Sequence, residues 1–379
     1  MLLRANDERL PGRRGDLNMK CLSLDYKSTG VAVRRKFAMT NRLRDQLYGE
    51  FRSAGGCVAI VTCGRSEFYF TCPREQAESI LQKVFGESAA IFRFYGEDAA
   101  VRHLFELAAG LCSMLVGEDE ILGQVRDGYE TARKNGMTER WDAVFQAALA
   151  CGKKVRSDTG ISSQACSLAT LAANAVFHFK RGHKKILLIG ATGKIGGAVL
   201  KNLAAGKDVG IYATLRTHAF EAKAENVHVI PYEDRYKMLD EADCVVCATA
   251  SPHTILQAEG VRENLHIVKP RLFIDLAVPP DIDPAAADIG GCTLLGVDGF
   301  RAQAEESNRK KQKAAQEAGT IVNDCVAEFL ADDAARRYAK KLADLGEAER
   351  RALYALRKSD PQKFVVELEE WGEFGAENE

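Results

Sequence analysis

A cysteine near residue 60 stands in a setting that suits a reactive thiol. The apolar run 58–61 leads into Thr62, Cys63, Gly64 and Arg65. A strand end would give the Cys63 thiol a fixed position, and Gly64 would let a substrate come close because glycine has no side chain. The positive charge of Arg65 would favour the thiolate over the thiol. The alternative is a buried structural cysteine, since free cysteines often pack as small apolar residues.

A second segment with a candidate functional residue begins about forty residues after Cys63. An amphipathic helix pattern carries His103, a Gly117-Glu118 pair interrupts it, and another helix pattern follows. Histidine can exchange protons near neutral pH, although a single histidine on a helix is more often structural. The segment therefore offers His103 as a candidate proton-transfer group, with a structural role as the alternative.

A glycine-rich turn follows the apolar strand pattern at 185–190 and opens a helix pattern. Such a turn lets the backbone approach a pyrophosphate, while the helix N-terminus faces the phosphates. Either Gly190 or Ala191 can occupy the first position of this motif. The predicted cofactor-binding residues of the turn are Gly190, Ala191, Thr192, Gly193, Lys194, Ile195 and Gly196.

The segment after the next strand pattern indicates which dinucleotide binds. It carries Thr214, Arg216 and Thr217, and it lacks the acidic residue that would bind an unmodified ribose. A guanidinium and two hydroxyls suit a 2′-phosphate instead. The sequence therefore predicts NADPH rather than NADH, with a solvated loop arginine as the alternative.

The elements that must position these residues form three groups. Residues 20–96 show the order β-α-β-β-α-β, which is typical of a ferredoxin-like sheet, and helix patterns follow. From residue 185, apolar strands alternate with helices or loops, which indicates a parallel, doubly wound sheet. The stretch 299–345 is rich in Ala, Glu, Lys and Arg and predicts a long helix. The predicted strands are 21–26, 57–63, 67–72, 90–95, 185–190, 209–213, 227–231, 244–248, 272–278 and 293–297, and the predicted helices before the final stretch include 34–50, 74–85, 98–114, 119–135, 138–156 and 167–179.

Composition limits the functional classes. A chain of 379 residues predicts two or three domains, and a net charge of −1 gives no overall signal for nucleic acid. Any RNA contact would need local basic clusters, of which 153–156, 180–185 and 309–313 are candidates, although solvated helix ends are the commoner explanation. Eleven cysteines without a secretory signal favour reduced thiols and a cytoplasmic location.

Three further features of the sequence give weaker information about function. Cys244 and Cys247 resemble a redox pair, but residues three apart in a strand point to opposite faces. No Cys/His cluster has the spacing of a zinc site, so the sequence predicts no metal. Residues 1–18 are polar and predict a disordered extension or a misplaced start, with a transit peptide as the minority interpretation.

Several motifs in one order resemble the glutamyl-tRNA reductase family. They are Thr-Cys-x-Arg-x-Glu from Thr62, His-Leu-Phe from His103, Gly-Glu-x-x-Ile-Leu-Gly-Gln-Val from Gly117, and the segments 154–161, 248–253 and 273–284. The likeness runs from about residue 20 to about residue 329. It implies reduction of glutamyl-tRNA(Glu) by NADPH to glutamate-1-semialdehyde through a cysteine thioester, the first step of five-carbon tetrapyrrole biosynthesis. It also implies a V-shaped homodimer with a long spinal helix, and an aminomutase as a possible partner.

The resemblance also assigns residue roles. Cys63 would be the nucleophile, and His103 would assist proton transfer or orient the reacting group. Arg65 suits the substrate carboxylate, and Ser113 and Glu118 suit its amino and hydroxyl groups. The residues implied around the glutamyl group are Thr62, Gly64, Arg65, Ser113, Glu118, Asp119, Glu120 and Gln124.

This chain departs from the family pattern at Gly64, usually Asn, at Cys112, usually Asp, at Glu120, usually Gln, and at 24–27. The expected domains are an extension 1–18, a catalytic domain 19–160, an NADPH-binding domain 161–298, and a spinal helix with a helical dimerisation domain 299–379. Two alternatives remain open. One is a divergent NADPH oxidoreductase acting on a small thioester or carbonyl, and the other is a non-catalytic regulatory relative that responds to tRNA or haem.

Overall fold

The computed structural model describes residues 17–138, 141–162, 167–206, 208–216 and 224–376. The first sixteen residues of the predicted N-terminal extension lie outside this part of the chain. The described chain contains a four-stranded sheet, a six-stranded sheet and a helical C-terminal region. The predicted fold class, with a ferredoxin-like sheet, a Rossmann-type sheet and C-terminal helices, is confirmed.

The N-terminal sheet is antiparallel with strand order β2-β3-β1-β4, which is the ferredoxin-like order. Its elements are β1 Lys20–Asp25, α1 Val31–Arg34, α2 Asn41–Arg52, β2 Cys57–Val61, β3 Arg65–Phe70, α3 Arg74–Phe85 and β4 Arg93–Tyr95. Alternate side chains of β1 and β3 serve two cores, because successive residues of a strand face opposite sides. Leu22 and Phe68 pack with α2 and α3, whereas Cys21 and Tyr69 pack against the helices that follow the sheet.

Two predictions in this region are wrong in their boundaries. The helix expected over 34–50 is divided, because the Thr40 hydroxyl accepts a hydrogen bond from the Leu43 amide at 3.2 Å and caps a new helix. The strand expected over 57–63 ends at Val61, since the Thr62 amide donates to the Arg65 carbonyl at 2.8 Å and closes a tight hairpin. Cys63 therefore lies in a turn rather than in a strand.

Between the two sheets, the described residues form the helices α4 Glu97–Ala109, α5 Asp119–Lys134, α6 Asp142–Thr159 and α7 Leu168–Phe179. The helix expected over 98–114 ends early because Gly110 takes a left-handed conformation with φ of 82°. The Leu111 amide then donates to the Glu106 carbonyl at 3.0 Å and closes the helix end. Residues 110–118 consequently form a loop.

The second sheet is parallel throughout, with order β10-β9-β8-β5-β6-β7, the doubly wound order. Its elements are β5 Lys184–Ile189, α8 Lys194–Ala204, β6 Val209–Leu215, β7 Val227–Pro231, β8 Cys244–Cys247, α9 Ala258–Glu263, β9 Arg271–Asp275 and β10 Cys292–Gly296. Cys244 and Cys247 belong to cores on opposite faces, as predicted. The strand expected over 272–278 stops at Asp275, whose carboxylate accepts hydrogen bonds from Ala277 and Ile282 amides.

The C-terminal region contains α10 Arg301–Lys310, α11 Gln312–Arg337, α12 Ala339–Asp344, α13 Glu347–Ser359 and α14 Pro361–Ala376. The expected long helix is thus interrupted at Lys311 and Tyr338. At the first interruption the chain contacts the loop 110–118. The Lys311 ammonium donates a hydrogen bond to the Val116 carbonyl at 3.0 Å. None of the described helices is both long and apolar enough to cross a membrane.

Candidate active site

Cys63 lies at the tip of the β2–β3 hairpin. Cys63 and Gly64 are the two turn residues between Thr62 and Arg65. The turn is held from two sides, because the Tyr26 amide donates to the Gly64 carbonyl at 3.0 Å and the Gly64 amide donates to the Thr62 hydroxyl at 3.2 Å. A short loop fixed in this way positions a side chain almost as firmly as a strand does.

The charges around Cys63 differ from the sequence expectation. Burial and, to a lesser extent, the carboxylates of Glu118 and Glu120 raise the pKa of the Cys63 thiol, Arg34 lowers it, and the net result is a pKa of about 12. The prediction that Arg65 would favour the thiolate is wrong. The Arg65 side chain is buried and bonds instead to the Glu67 carboxylate at 2.8 Å and to the Cys112 carbonyl. Among the described residues the thiol therefore lies in a predominantly negative environment.

Arg34 is a site residue that the sequence did not single out. Its guanidinium is 1% exposed, donates to the Cys63 carbonyl at 3.3 Å, and pairs with Asp298 at 3.0 Å. Asp298 lies just after the last strand of the parallel sheet. The Asp298 carboxylate also accepts a hydrogen bond from the Val31 amide at 2.9 Å. This link joins the cysteine hairpin to the dinucleotide-binding region.

A cleft opens beside the hairpin. It brings together most of the residues predicted from sequence to surround a substrate: Thr62, Cys63, Gly64, Arg65, Ser113, Glu118, Glu120 and Gln124. The Asp119 backbone begins α5, and its side chain lies outside the described part of the structure. On the opposite side, Leu168, Ile195 and Val297 complete the wall. The cleft therefore lies between the ferredoxin-like sheet and the parallel sheet.

The loop 110–118 forms one wall of this cleft and is tied to both sides. The Tyr26 hydroxyl donates to the Ser113 carbonyl at 3.2 Å. From α10, the Asn308 side chain donates to the Met114 carbonyl and accepts from the Val116 amide, each at 2.8 Å. These bonds fix Ser113 and the residues next to it against the cysteine hairpin.

His103 stands behind this wall. Its Nε2 lies 2.7 Å from a carboxylate oxygen of Glu67, and its ring stacks on Tyr95 with centroids 4.2 Å apart. Burial alone would raise the pKa of Glu67, but His103 and Arg65 lower it to about 2. Burial alone would lower the pKa of His103, and the facing Glu67 carboxylate raises it well above its usual value. His103 is not among the described residues that line the cleft. Glu67 and Arg65 connect the His103 ring to the cleft.

The glycine-rich turn after β5 has the form that a dinucleotide needs. Gly190 has φ of 91°, and a Cβ there would lie 2.6 Å from the Ala248 carbonyl oxygen. A Cβ at Gly196 would lie 2.0 Å from the Gly190 carbonyl oxygen. Gly190 therefore has the conformation expected of the first glycine, and α8 begins at Lys194 with Gly193 as its cap. A side chain at either position would therefore collide with the backbone of the turn itself or of the segment after β8.

The turn adjoins the cysteine cleft directly. Ile195, in the first turn of α8, lines the cleft together with Cys63. Burial raises the pKa of Glu120, and the nearby Lys194 ammonium partly offsets this rise. A dinucleotide held at the turn would thus lie next to the groups that surround the thiol.

The predicted 2′-phosphate residues are only partly described. Thr214 is buried at the end of β6, whereas Arg216 is exposed and its guanidinium lies 5.7 Å from the centre of the Tyr232 ring. Thr217 lies outside the described residues. The Arg216 charge therefore faces solvent at the edge of the sheet where the second strand ends.

A parallel dinucleotide-binding sheet that shares a cleft with a cysteine-bearing sheet defines a nicotinamide-dependent oxidoreductase. Comparison with known families agrees with this class. The N-terminal domain of glutamyl-tRNA(Glu) reductase matches residues 22–159, and the shikimate/quinate 5-dehydrogenase family matches residues 171–302.

Whole-chain relatives are more specific. A glutamyl-tRNA reductase of Methanosarcina barkeri is 32% identical over 82% of this chain and 70% of its own length. One of Desulfitobacterium hafniense is 32% identical over 82% of this chain and 74% of its own. The solved glutamyl-tRNA reductase from Methanopyrus kandleri aligns over 93% of both chains, with 25% identity and a TM-score of 0.46. The chain belongs to the glutamyl-tRNA reductase family.

Proposed function

We propose that this protein reduces glutamyl-tRNA(Glu) to glutamate-1-semialdehyde with NADPH, through a thioester on Cys63, as the first step of tetrapyrrole biosynthesis. The observation that carries the proposal is the position of Cys63 at a hairpin tip, in a cleft shared with the dinucleotide turn. Family membership supplies the substrate, because the relatives are named for it.

The chemistry takes place at the ester carbonyl that joins the glutamyl group to tRNA. The Cys63 sulfur forms a bond to this carbon, and the carbon–oxygen bond to the tRNA ribose breaks. The Cys63 thiol loses a proton in this step, and the ribose oxygen of the tRNA leaves with a proton as a hydroxyl group. A nicotinamide cofactor bound at the glycine-rich turn would supply a hydride to the thioester carbon; the carbon–sulfur bond would then break to give the aldehyde, and Cys63 would take up a proton.

Two carboxylates control when the thiol becomes reactive. Burial is the largest cause of the raised pKa of Cys63, and the Glu118 and Glu120 carboxylates raise that pKa further, which disfavours the thiolate in the free protein. A glutamyl group carries an ammonium, and binding it between these carboxylates would offset their charge. The pKa of Cys63 would then fall when the substrate arrives. We infer that Glu118 and Glu120 bind the ammonium and so couple substrate binding to thiol activation.

His103 contributes to this site from behind the cleft wall. It fixes the Glu67 carboxylate, which holds the Arg65 guanidinium against the Cys112 carbonyl. This chain of contacts supports a positioning role for His103 on the loop that carries Ser113. The resemblance also implies proton transfer by His103, which stays a prediction.

NADPH is the proposed form of the cofactor. Backbone contacts require glycine at Gly190 and Gly196 in the tight turn between β5 and α8, and the N-terminus of α8 supplies backbone amides for a pyrophosphate. Arg216 supports NADPH over NADH, because it is an exposed cation at the end of the second strand and neither of its neighbours in the sequence, Leu215 and Thr217, is acidic.

The remaining features of the proposal concern organisation and location. The proposed domains are 19–160, 161–298 and 299–379. The two family matches support the limit between the first two domains, because one match ends at residue 159 and the other begins at residue 171. We also propose a homodimer through the C-terminal helices, a glutamate-1-semialdehyde aminomutase as the acceptor of the product, and a cytoplasmic location, which the many reduced cysteines favour.

The direct test combines purified protein, charged glutamyl-tRNA and NADPH. The aldehyde should form from charged tRNA and not from free glutamate, because the free acid lacks an activated carbonyl. Cys63→Ser should abolish the product, whereas Cys72→Ser, a buried thiol near the first sheet, should retain it. An equal rate with a simple glutamyl thioester and no response to tRNA would favour a small-molecule oxidoreductase instead.

A further inference from the structure

Three potential metal ligands converge beside the cleft wall. His103 and Glu106 are three residues apart on α4, so both lie on one face of the helix. The left-handed turn at Gly110 then folds the chain back and brings Cys112 to the same place. The Cys112 sulfur lies 4.0 Å from His103 Nδ1 and 3.9 Å from a Glu106 carboxylate oxygen. All three ligand atoms lie within 4.8 Å of one another.

The histidine in this cluster is already oriented in the way that metal-binding histidines are. Its Nε2 faces the buried Glu67 carboxylate at 2.7 Å, which directs Nδ1 towards Cys112. The stack on Tyr95 holds the plane of the ring. A carboxylate on the outer ring nitrogen is a recurrent feature of zinc sites, where it fixes the ring and strengthens the ligand.

The ligand spacing is close to that of a bound ion. Tetrahedral zinc with bonds of about 2.3 Å to sulfur and about 2.0 Å to nitrogen or oxygen separates sulfur from either partner by about 3.5 Å. The Cys112 sulfur would therefore need to approach each of the other two ligand atoms by only about half an ångström. Cys112 lies in a loop that can make this shift, and rotation of the Glu106 side chain would bring its carboxylate, which lies within 4.8 Å of His103 Nδ1, to the ion.

We propose that His103 Nδ1, the Glu106 carboxylate and the Cys112 thiolate bind a divalent cation of the zinc class, with one coordination position left open. The thiolate and the carboxylate together balance the charge of the ion. Binding releases the Cys112 thiol proton, and any proton on Nδ1, to solvent. The sequence prediction of no metal missed this set because its spacing matches no zinc motif, and only the turn at Gly110 assembles it. The site does not depend on the proposed reductase activity.

The competing cluster of Cys21, Glu67 and His103 is a poorer site. All three of its members are buried, and Glu67 is already engaged by Arg65 and His103. The Glu106 and Cys112 side chains are only partly buried, which leaves an approach for a hydrated ion.

Zinc affinity and cobalt spectra test the proposal. Competition between the full-length protein and a chromophoric chelator should reveal one tight zinc equivalent, and Co²⁺ should give a thiolate charge-transfer band in the near ultraviolet. Cys112→Ser should weaken zinc binding by more than about 100-fold and remove the band, because loss of even an outer partner costs about 10- to 100-fold. Glu106→Gln, at a partly exposed position, should weaken binding while leaving the fold intact by circular dichroism.

Cys63→Ser is the matched control, since it removes a different partly exposed thiol, which lies in the cleft, and should leave zinc affinity unchanged. Unchanged affinity in both Cys112→Ser and Glu106→Gln would overturn the proposal. So would the absence of tight zinc binding in the wild-type protein, or loss of binding in Cys63→Ser, which would transfer the ion to the cleft thiol.

Discussion

Replacing Glu120 by Gln should make Cys63 more reactive in the free protein. The Glu120 carboxylate raises the pKa of Cys63, which lies at about 12. A nearby unit charge of this kind, acting through an effective dielectric of about 20, contributes about 2 kcal/mol, or about 1.5 pKa units. Glutamine keeps the size of the side chain and removes this charge.

The expected rate gain is smaller than the gain in thiolate. A fall of about 1.5 pKa units increases the thiolate fraction about 30-fold at pH 8, but a less basic thiolate is a weaker nucleophile, with a Brønsted coefficient of about 0.45. Together these effects predict alkylation of Cys63 about 6- to 7-fold faster in Glu120→Gln than in the wild type. In the wild type the rate should rise about tenfold per pH unit from about pH 7 to 10 without a plateau, since the pKa of about 12 lies above this range.

The assay is iodoacetamide labelling with mass spectrometry of the Cys63 peptide, which separates this thiol from the other cysteines. Glu130→Gln is the matched control, because Glu130 is exposed on the same helix, about 15 Å further along its axis. It should leave the rate unchanged. Equal or slower labelling in Glu120→Gln would refute the view that Glu120 keeps the thiol protonated.

Three further predictions follow from other parts of the structure. Arg216→Ala should weaken NADPH binding by about 10- to 100-fold, as loss of a charge-assisted contact implies, and NADH binding little, which titration of both cofactors would measure. Asp298→Ala should lower the free energy of unfolding in urea by about 2 kcal/mol, because it leaves the buried Arg34 guanidinium without its carboxylate partner. Glu87→Ala, which removes a surface ion pair, should cost under about 0.5 kcal/mol, and an equally small loss in Asp298→Ala would contradict the prediction. Deleting the chain from about residue 332, within α11, should convert a dimer to monomers by light scattering, and an unchanged particle mass would exclude the dimer role.

Much of the fold follows from local sequence patterns. Apolar runs gave the parallel strands, and the strand and helix order gave the ferredoxin-like sheet, because both depend on periodicity within a short segment. The errors lie where a single polar contact ends an element. Thr40 caps a helix inside the predicted 34–50, and Gly110 ends α4 before Cys112.

The sequence predicted the site residues that lie together in one short segment. It did not predict the contacts between residues from distant segments. The cleft gathers the residues predicted around Cys63, since the hairpin and the loop 110–118 were recognisable in the sequence. The direction of the charge effect was not predictable. Sequence proximity suggested Arg65, but Arg65 pairs with Glu67, and the guanidinium that lowers the pKa of Cys63 is that of Arg34. The partner of Arg34, Asp298, is 264 residues away, a separation that no local pattern reveals.

The most direct test of the account is to trap the covalent intermediate on Cys63. Protein given glutamyl-tRNA labelled in the glutamyl group, without a nicotinamide cofactor, should retain the label on the Cys63 peptide in a bond that hydroxylamine cleaves. Addition of NADPH should then release the label as the aldehyde. Cys63→Ala should retain no label, and Cys57→Ala, at a buried thiol in β2, should retain as much as the wild type. Undiminished labelling of the Cys63→Ala protein would contradict the proposed mechanism.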